Sequence, residues 1–251
     1  MTAPVIEGCE PLSSEGGPVG VLVIHGFTGS PFSMRPLADR MVHAGMAVEM
    51  PLLPGHGTAV EDMVPTRFAD WSSAADEAYQ RLAARTESVV VVGLSMGGTL
   101  TCWLAEQHPE IAGIVVINPL VQPVGPEMTE GLTSLLDSGL ETLDAIGSDI
   151  AKEGADERSY PATPVAAALS LFKGVEEVSA ALGTITCPAL LFSSRADHVV
   201  DPSNGEHLVA SIGGSIEQIY LDRSFHVATL DHDAALIEDQ AVAFVERLAA
   251  S

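Results

Sequence analysis

Residues 89–98 read Val-Val-Val-Val-Gly-Leu-Ser-Met-Gly-Gly, and no other stretch limits the fold as much. The four valines predict a strand, and residues 99–107 follow at helical spacing. Between them, Gly93-Leu94-Ser95-Met96-Gly97 leaves no room for a loop, so strand must become helix within the pentapeptide. A turn that sharp lifts the Ser95 oxygen clear of the backbone and forces the residue into strained dihedrals. Gly93 and Gly97 are then needed because strand and helix crowd one another there. A strand feeding straight into a helix is half of a βαβ unit, so the rest of the chain is expected to alternate.

It does. Val19–Ile24 is an almost wholly apolar run, with Gly16-Gly17-Pro18 before it and His25-Gly26 after it. Residues 89–92, 111–117 and 189–192 are similar runs, and 215–221 alternates more. Continuous apolar strands of this length belong to a parallel sheet buried on both faces. Ser30-Pro31 is an N-cap followed by proline in the first turn, and residues 32–44 continue at helical spacing. Residues 68–84 and 99–107 also read as helices. Ala234–Ala249 places Leu236, Ile237, Val242, Phe244, Val245 and Leu248 largely on one face. The expectation is an α/β fold with a mostly parallel, doubly wound sheet.

Residues 120–182 break the alternation, with no convincing strand. Met128, Leu132, Leu135, Leu136, Leu140, Leu143, Ile146 and Ile150 recur mostly three and four apart, and Thr163-Pro164 reads as a second helix start. This predicts a helical insertion lying on the sheet. The domain organisation expected is a core of residues 1–119 and 183–251 with a helical cap of 120–182.

The 251 residues suffice for one such domain with a sizeable core. A formal net charge of −23 sets aside nucleic acid and anionic lipid headgroups as partners. Cys9, Cys102 and Cys187 are too few and too scattered for a disulfide framework or a metal site. The first residues carry no basic side chain before Arg35, unlike a signal peptide, and no apolar run approaches the ~20 residues that span a bilayer. A cytoplasmic protein without stable membrane insertion is expected. No histidine spacing suggests a metal and no further glycine loop suggests a phosphate, so neither metal nor other cofactor is expected.

A serine hydroxyl presented on an elbow is a poor nucleophile until a base takes its proton and a third group orients that base. His198, His207, His226 and His232 follow the region of the candidate acids. His226, in Leu221-Asp-Arg-Ser-Phe-His226, falls between the last strand and the last helix, in a loop at the sheet's edge. For the acid, Asp197 lies in the loop after the 189–192 strand. Asp201, before Pro202, is suited to capping the next helix, and Asp222 is a further candidate. The oxyanion formed on attack needs two backbone N–H donors, expected from Met96 and from Phe27 in the His25–Gly29 loop, each typically worth about 10²–10³ in rate.

Together His25-Gly-Phe-Thr-Gly-Ser-Pro31, Leu53-Pro-Gly-His-Gly57, Gly93-Leu-Ser-Met-Gly-Gly98, Arg195-Ala-Asp197 and Ser224-Phe-His226 resemble the small bacterial carboxylesterases and monoacylglycerol lipases of the α/β-hydrolase superfamily. The resemblance runs motif by motif along the chain. It implies Ser95, Asp197 and His226 as a catalytic triad, Phe27 and Met96 as oxyanion donors, and a small helical cap inserted after the sixth strand. It also implies a short-to-medium-chain acyl ester, such as a monoacylglycerol, as substrate. The same fold could instead carry a C–C bond or thioester hydrolase, or a non-enzymatic ligand receptor.

Overall fold

The structure is a computed structural model that describes residues 3–145 and 147–250. Its first half runs β1 (Leu12–Ser14), β2 (Val19–Ile24), α1 (Pro31–His43), β3 (Ala47–Met50), α2 (Val60–Met63), α3 (Phe68–Ala83), β4 (Ser88–Leu94) and α4 (Met96–Gln107). The chain continues through β5 (Gly113–Ile117), α5 (Pro126–Asp137), β6 (Thr142–Asp144), β7 (Ala162–Pro164) and α6 (Val165–Ala181). It ends with β8 (Ala189–Ser194), α7 (Ser203–Ser211), β9 (Ile216–Leu221) and α8 (Ala234–Ala249).

Seven strands form one sheet in the order β1-β3-β2-β4-β5-β8-β9. Only β1 is antiparallel, pairing Leu12 with Met50 and Ser14 with Val48 on β3. Alternate side chains of each strand enter opposite layers. Leu22, Ile24, Val91, Ile114 and Val116 pack under α3, α4 and α6, while Val21, Val23, Val90, Val92 and Val115 pack under α1 and α8. The apolar runs are continuous because both faces are covered. Strand order reverses between β2 and β4, and the crevice outside their carboxyl ends is where open α/β sheets bind ligands.

β3 was not among the expected strands. It is four residues long, and Glu49 interrupts its apolar pattern. That buried carboxylate is satisfied by the Ser13 hydroxyl at 2.6 Å and the Arg85 guanidinium at 2.8 Å.

The 120–182 stretch leaves the sheet after the fifth strand in chain order, one earlier than the resemblance implies, since one strand fewer precedes it among the described residues. It is also not wholly helical. The apolar periodicity holds only as far as Asp137. There Gly139 takes φ +92°, the Leu140 N–H bonds back to Leu135 O at 3.1 Å, and the helix closes. Leu143 then sits in the two-stranded β6–β7 ladder, opposite Thr163, and residues 145 and 147–161 are irregular. Ile146 lies outside the described residues, as do Met1 and Thr2 of the amino terminus. No side chain of α5 is buried, whereas Val165, Ala167, Leu171, Val175 and Val178 of α6 are buried, most of them in the cluster under α3 and α4.

The three cysteines are unpaired. Burial pushes the Cys102 thiol up and the Cys187 thiol up to about 11, which leaves both inert near neutrality. Beside Cys102 on α4, Glu106 has an oxygen sealed from solvent without a hydrogen-bond partner, and burial pushes its carboxyl up to about 8. A carboxyl raised in the folded state stabilises fully below its ordinary value and loses that contribution as pH rises through the folded value. Glu106→Gln should therefore match wild type near pH 4.5 and melt progressively higher than it towards pH 8. Discounted for solvent screening, the gain is about 1 kcal/mol, or roughly 2–4 °C in Tm. Thermal melts at pH 5, 7 and 9 check this, and parallel pH profiles would refute it.

Candidate active site

Strand β4 enters helix α4 through Ser95 at φ +57°, ψ −119°. Its N–H donates to Ile117 O at 3.0 Å, and its carbonyl accepts the Gly98 and Thr99 N–H groups at 2.8 and 3.1 Å. The strain is held by this backbone frame and not by the hydroxyl. A methyl group on Gly93 would meet the Gly97 carbonyl, and one on Gly97 would meet the Ile24 carbonyl. The glycines let the helix start sit directly on the two central strands.

Two further loops arrive at the carboxyl ends of β8 and β9. One carries Asp197 and the other His226, whose Nδ1 lies 2.7 Å from Asp197 Oδ2. Both side chains are largely withdrawn from water, His226 at 8% and Asp197 at 2% exposure. Asp197 Oδ1 accepts the Val199 and Val200 N–H groups at 2.9 and 2.8 Å. The His226 carbonyl is held by Asn118 Nδ2 at 2.8 Å.

The other candidates are engaged elsewhere. Asp201 accepts the Ser203 N–H at 2.9 Å, as a helix cap does, and Asp222 pairs with Arg195 on the surface. His207 faces Ser179 at 2.7 Å, His198 faces Asp149, and His232 is exposed.

Phe27 lines the same cavity as Ser95, and Met96 is the residue that follows Ser95 in the chain. Among the described residues neither backbone N–H has an acceptor. Gly26 brings the Phe27 loop against the elbow: a Cβ there would lie 3.4 Å from Ser95 Cβ, at van der Waals contact. The fully buried His25 ring shapes this loop. Its Nε2 accepts the Leu53 N–H at 3.2 Å, so Nδ1 carries the proton towards Gly26 O at 3.0 Å. Burial, reinforced by neighbouring His56, lowers His25 to about 3, and burial lowers His56 to about 4, so both rings are neutral near neutrality. Trp71 stacks edge-on against both Phe27 and His56, with centroids 5.6 and 5.7 Å away.

Ser95, His226 and Phe27 line one cavity of about 330 Å³. Leu120, Val124, Met128, Leu171 and Phe172 make part of its wall apolar, and Thr28, Glu157 and Ser159 make another part polar. Burial raises the Glu157 carboxyl above its ordinary value. Tyr160, three residues on, ties the insertion to the Phe27 loop. Its N–H donates to Thr28 O at 3.1 Å, and its hydroxyl donates to Gly55 O and accepts the Thr58 N–H, both at 2.9 Å.

Glu157 and Tyr160 were not singled out from sequence. One is an acid among many in an acidic segment, and the other one of three tyrosines. Among the described residues no group of three or more His, Cys, Asp or Glu side chains is placed to hold a metal ion, and no helix is long and apolar enough to cross a membrane.

Comparison with known proteins is consistent with this arrangement. A family model described as serine aminopeptidase, S33, matches residues 19–233. A thermostable monoacylglycerol lipase of Bacillus sp. (strain H-257) is 46% identical over 245 residues, covering 96% of each chain. A carboxylesterase of Bacillus subtilis (strain 168) is 26% identical over 95% of this chain and 97% of its own. A solved structure from the metagenome-derived lipolytic enzymes LipS and LipT superposes with a TM-score of 0.93 at 43% identity, covering 97% of this chain and 100% of that one.

Proposed function

The chain belongs to the serine aminopeptidase, S33, family of α/β-hydrolases, and from that membership we propose a serine-dependent carboxylic ester hydrolase acting on monoacylglycerols and other short-to-medium-chain acyl esters. One observation carries the reading: Ser95, Phe27 and the carboxylate-paired His226 converge on a single, largely apolar cavity. The relative that is 46% identical, a monoacylglycerol lipase, supports an ester over a peptide.

In this mechanism Ser95 Oγ attacks the ester carbonyl carbon while His226 Nε2 takes its proton. The oxyanion is held by the Phe27 and Met96 N–H groups, whose charge stabilisation needs no rearrangement at the moment of reaction. Asp197 stays ionised, keeps the Nδ1–H tautomer and stabilises the imidazolium. That imidazolium protonates the departing alkoxide, releasing the alcohol and leaving an acyl-enzyme. Water, deprotonated by His226, then attacks the acyl carbon, and the acid departs as Ser95 recovers its proton.

The apolar wall suits the acyl chain, and the polar part around Glu157 suits a hydroxylated alcohol. Residues 120–182 act as a cap over the site. The three unpaired thiols and the charge of −23 fit a cytoplasmic protein with no nucleic-acid partner.

The test is a turnover profile over 1-monoacylglycerols, p-nitrophenyl esters of increasing chain length and aminoacyl p-nitroanilides. Ester turnover strongest on monoacylglycerols is expected, with stoichiometric labelling by a serine-reactive organophosphate. Turnover of the anilides alone would make the chain a peptidase. No turnover of any ester would overturn the reading.

A further inference from the structure

The insertion contributes a carboxylate that touches both loops of the His226–Asp197 pair. Asp149 Oδ2 accepts the backbone N–H of His226 at 3.1 Å and the backbone N–H of His198, the residue after Asp197, also at 3.1 Å. Asp149 Oδ1 lies 2.8 Å from His198 Nδ1. The Asp149 carbonyl accepts the Val227 N–H at 3.0 Å. Two and three residues on, the Ala151 and Lys152 N–H groups donate to Asp231 at 2.7 and 2.9 Å, and Asp231 also accepts the Phe225 N–H at 2.9 Å. The Asp149 side chain is only 10% exposed. Burial alone would raise its carboxyl, but the bonds from the His198 backbone and ring and the His226 backbone outweigh it and hold the group ionised.

We propose that Asp149 is a positioning residue, clamping the acid loop and the base loop to one carboxylate so that His226 Nδ1 and Asp197 Oδ2 stay in register. The proposal rests on the triad reading above and assigns a role to a residue outside it. The ladder between β8 and β9 ends at Ser194 and Leu221, before either functional side chain is reached. Beyond it the Arg195 N–H still donates to Leu221 O at 3.1 Å and Asn118 ties the Ser194 N–H to the His226 carbonyl, and Asp149 adds the bond that reaches the acid loop at His198, next to Asp197. A displacement of about 1 Å at such a site costs on the order of 10² in rate. One oxygen shared by an N–H from each loop makes them move together, and it makes them follow the insertion.

Asp149→Ala and Asp149→Asn separate this role from a merely structural one. Asparagine can keep its oxygen at the Oδ2 position for both backbone donors and turn its amide towards His198 Nδ1, which needs only the other His198 tautomer. Alanine keeps none of these bonds. Expected for Asp149→Ala is a loss of about 10–10² in kcat with KM little changed. Its cooperative thermal melt should persist, and the far-downfield proton resonance of His226 Nδ1–H should be lost. Asp149→Asn should restore the resonance and bring kcat to within about threefold of wild type.

Wild-type kcat and an intact resonance in Asp149→Ala would overturn the proposal. So would an Asp149→Asn variant that folds but lacks the resonance, a result that also decides the matter if Asp149→Ala does not fold. The resonance needs no substrate, so absence of ester turnover by wild type would defeat the functional reading without deciding this one.

Discussion

Replacing Ser95 with alanine is expected to lower kcat on any ester substrate by about 10⁶ while leaving the melting temperature unchanged. Both halves of that expectation follow from the elbow. The φ of +57° is imposed by backbone bonds to Ile117, Gly98 and Thr99, and alanine meets the same backbone demand as serine. The hydroxyl contributes no hydrogen bond to the fold among the described residues, so its removal leaves nothing unpaired. What is lost is the nucleophile alone. The Phe27 and Met96 donors remain, and a residual acceleration of roughly 10³–10⁴ over water should survive. Steady-state kinetics beside a thermal melt check both statements. Full activity in the variant would eliminate Ser95 as nucleophile, and a large drop in Tm would show that the hydroxyl supports the turn.

Asp197→Asn is expected to cost about 10⁴ in kcat, again without unfolding. Here the hydrogen bonds dictate the outcome. Oδ1 of Asp197 accepts two backbone N–H groups, from Val199 and Val200, so an asparagine must leave its oxygen there. Its NH₂ is then aimed at His226 Nδ1. The imidazole can accept that bond only by moving its proton to Nε2, the atom that must be free to take a proton from Ser95. The same conservative change thus has opposite expected consequences at two aspartates a short distance apart. At Asp149 the oxygen stays where the donors are and the amide finds an acceptor. At Asp197 it locks the wrong tautomer. A loss below about tenfold at Asp197 would mean that another group orients the base.

The central strands and flanking helices were legible because a sheet buried on both faces needs unbroken apolar runs, and Val19–Ile24 and the valines before Gly93 supply them. The elbow was legible because strand and helix meet with no room for a loop, and the structure holds Ser95 there at φ +57°. His226 and Asp197 followed from chain order and from lying just past strands, and the structure brings them together. The two strands β1 and β3, on one side of the sheet, were not legible. β1 is three residues long, and β3 carries Glu49, whose burial depends on Ser13 and Arg85 from distant parts of the chain. In the insertion, apolar spacing suggested helix through Ile150. The Ser138-Gly139 pair that stops it is a local signal, and it prevails because a left-handed glycine closes the last turn whatever side chains follow. Asp149 was invisible for another reason. Its importance comes from which backbone donors surround it, and nothing in its neighbours along the chain records that.

The contrast between α5 and the stretch after it bears on how such a protein changes over generations. Helix α5 buries no side chain, yet Met128 on it reaches the cavity wall. Substitutions on such a helix typically stay within ±0.5 kcal/mol of neutral for folding. A lineage can therefore wander through many α5 sequences, altering which acyl chains fit, without crossing a stability threshold. Asp149 and Tyr160, which fasten the stretch between them to the loops of the candidate site, have no such latitude. Mutational libraries aimed at chain-length preference belong in 126–137, and those that reach Asp149 or Tyr160 should mostly return inactive clones.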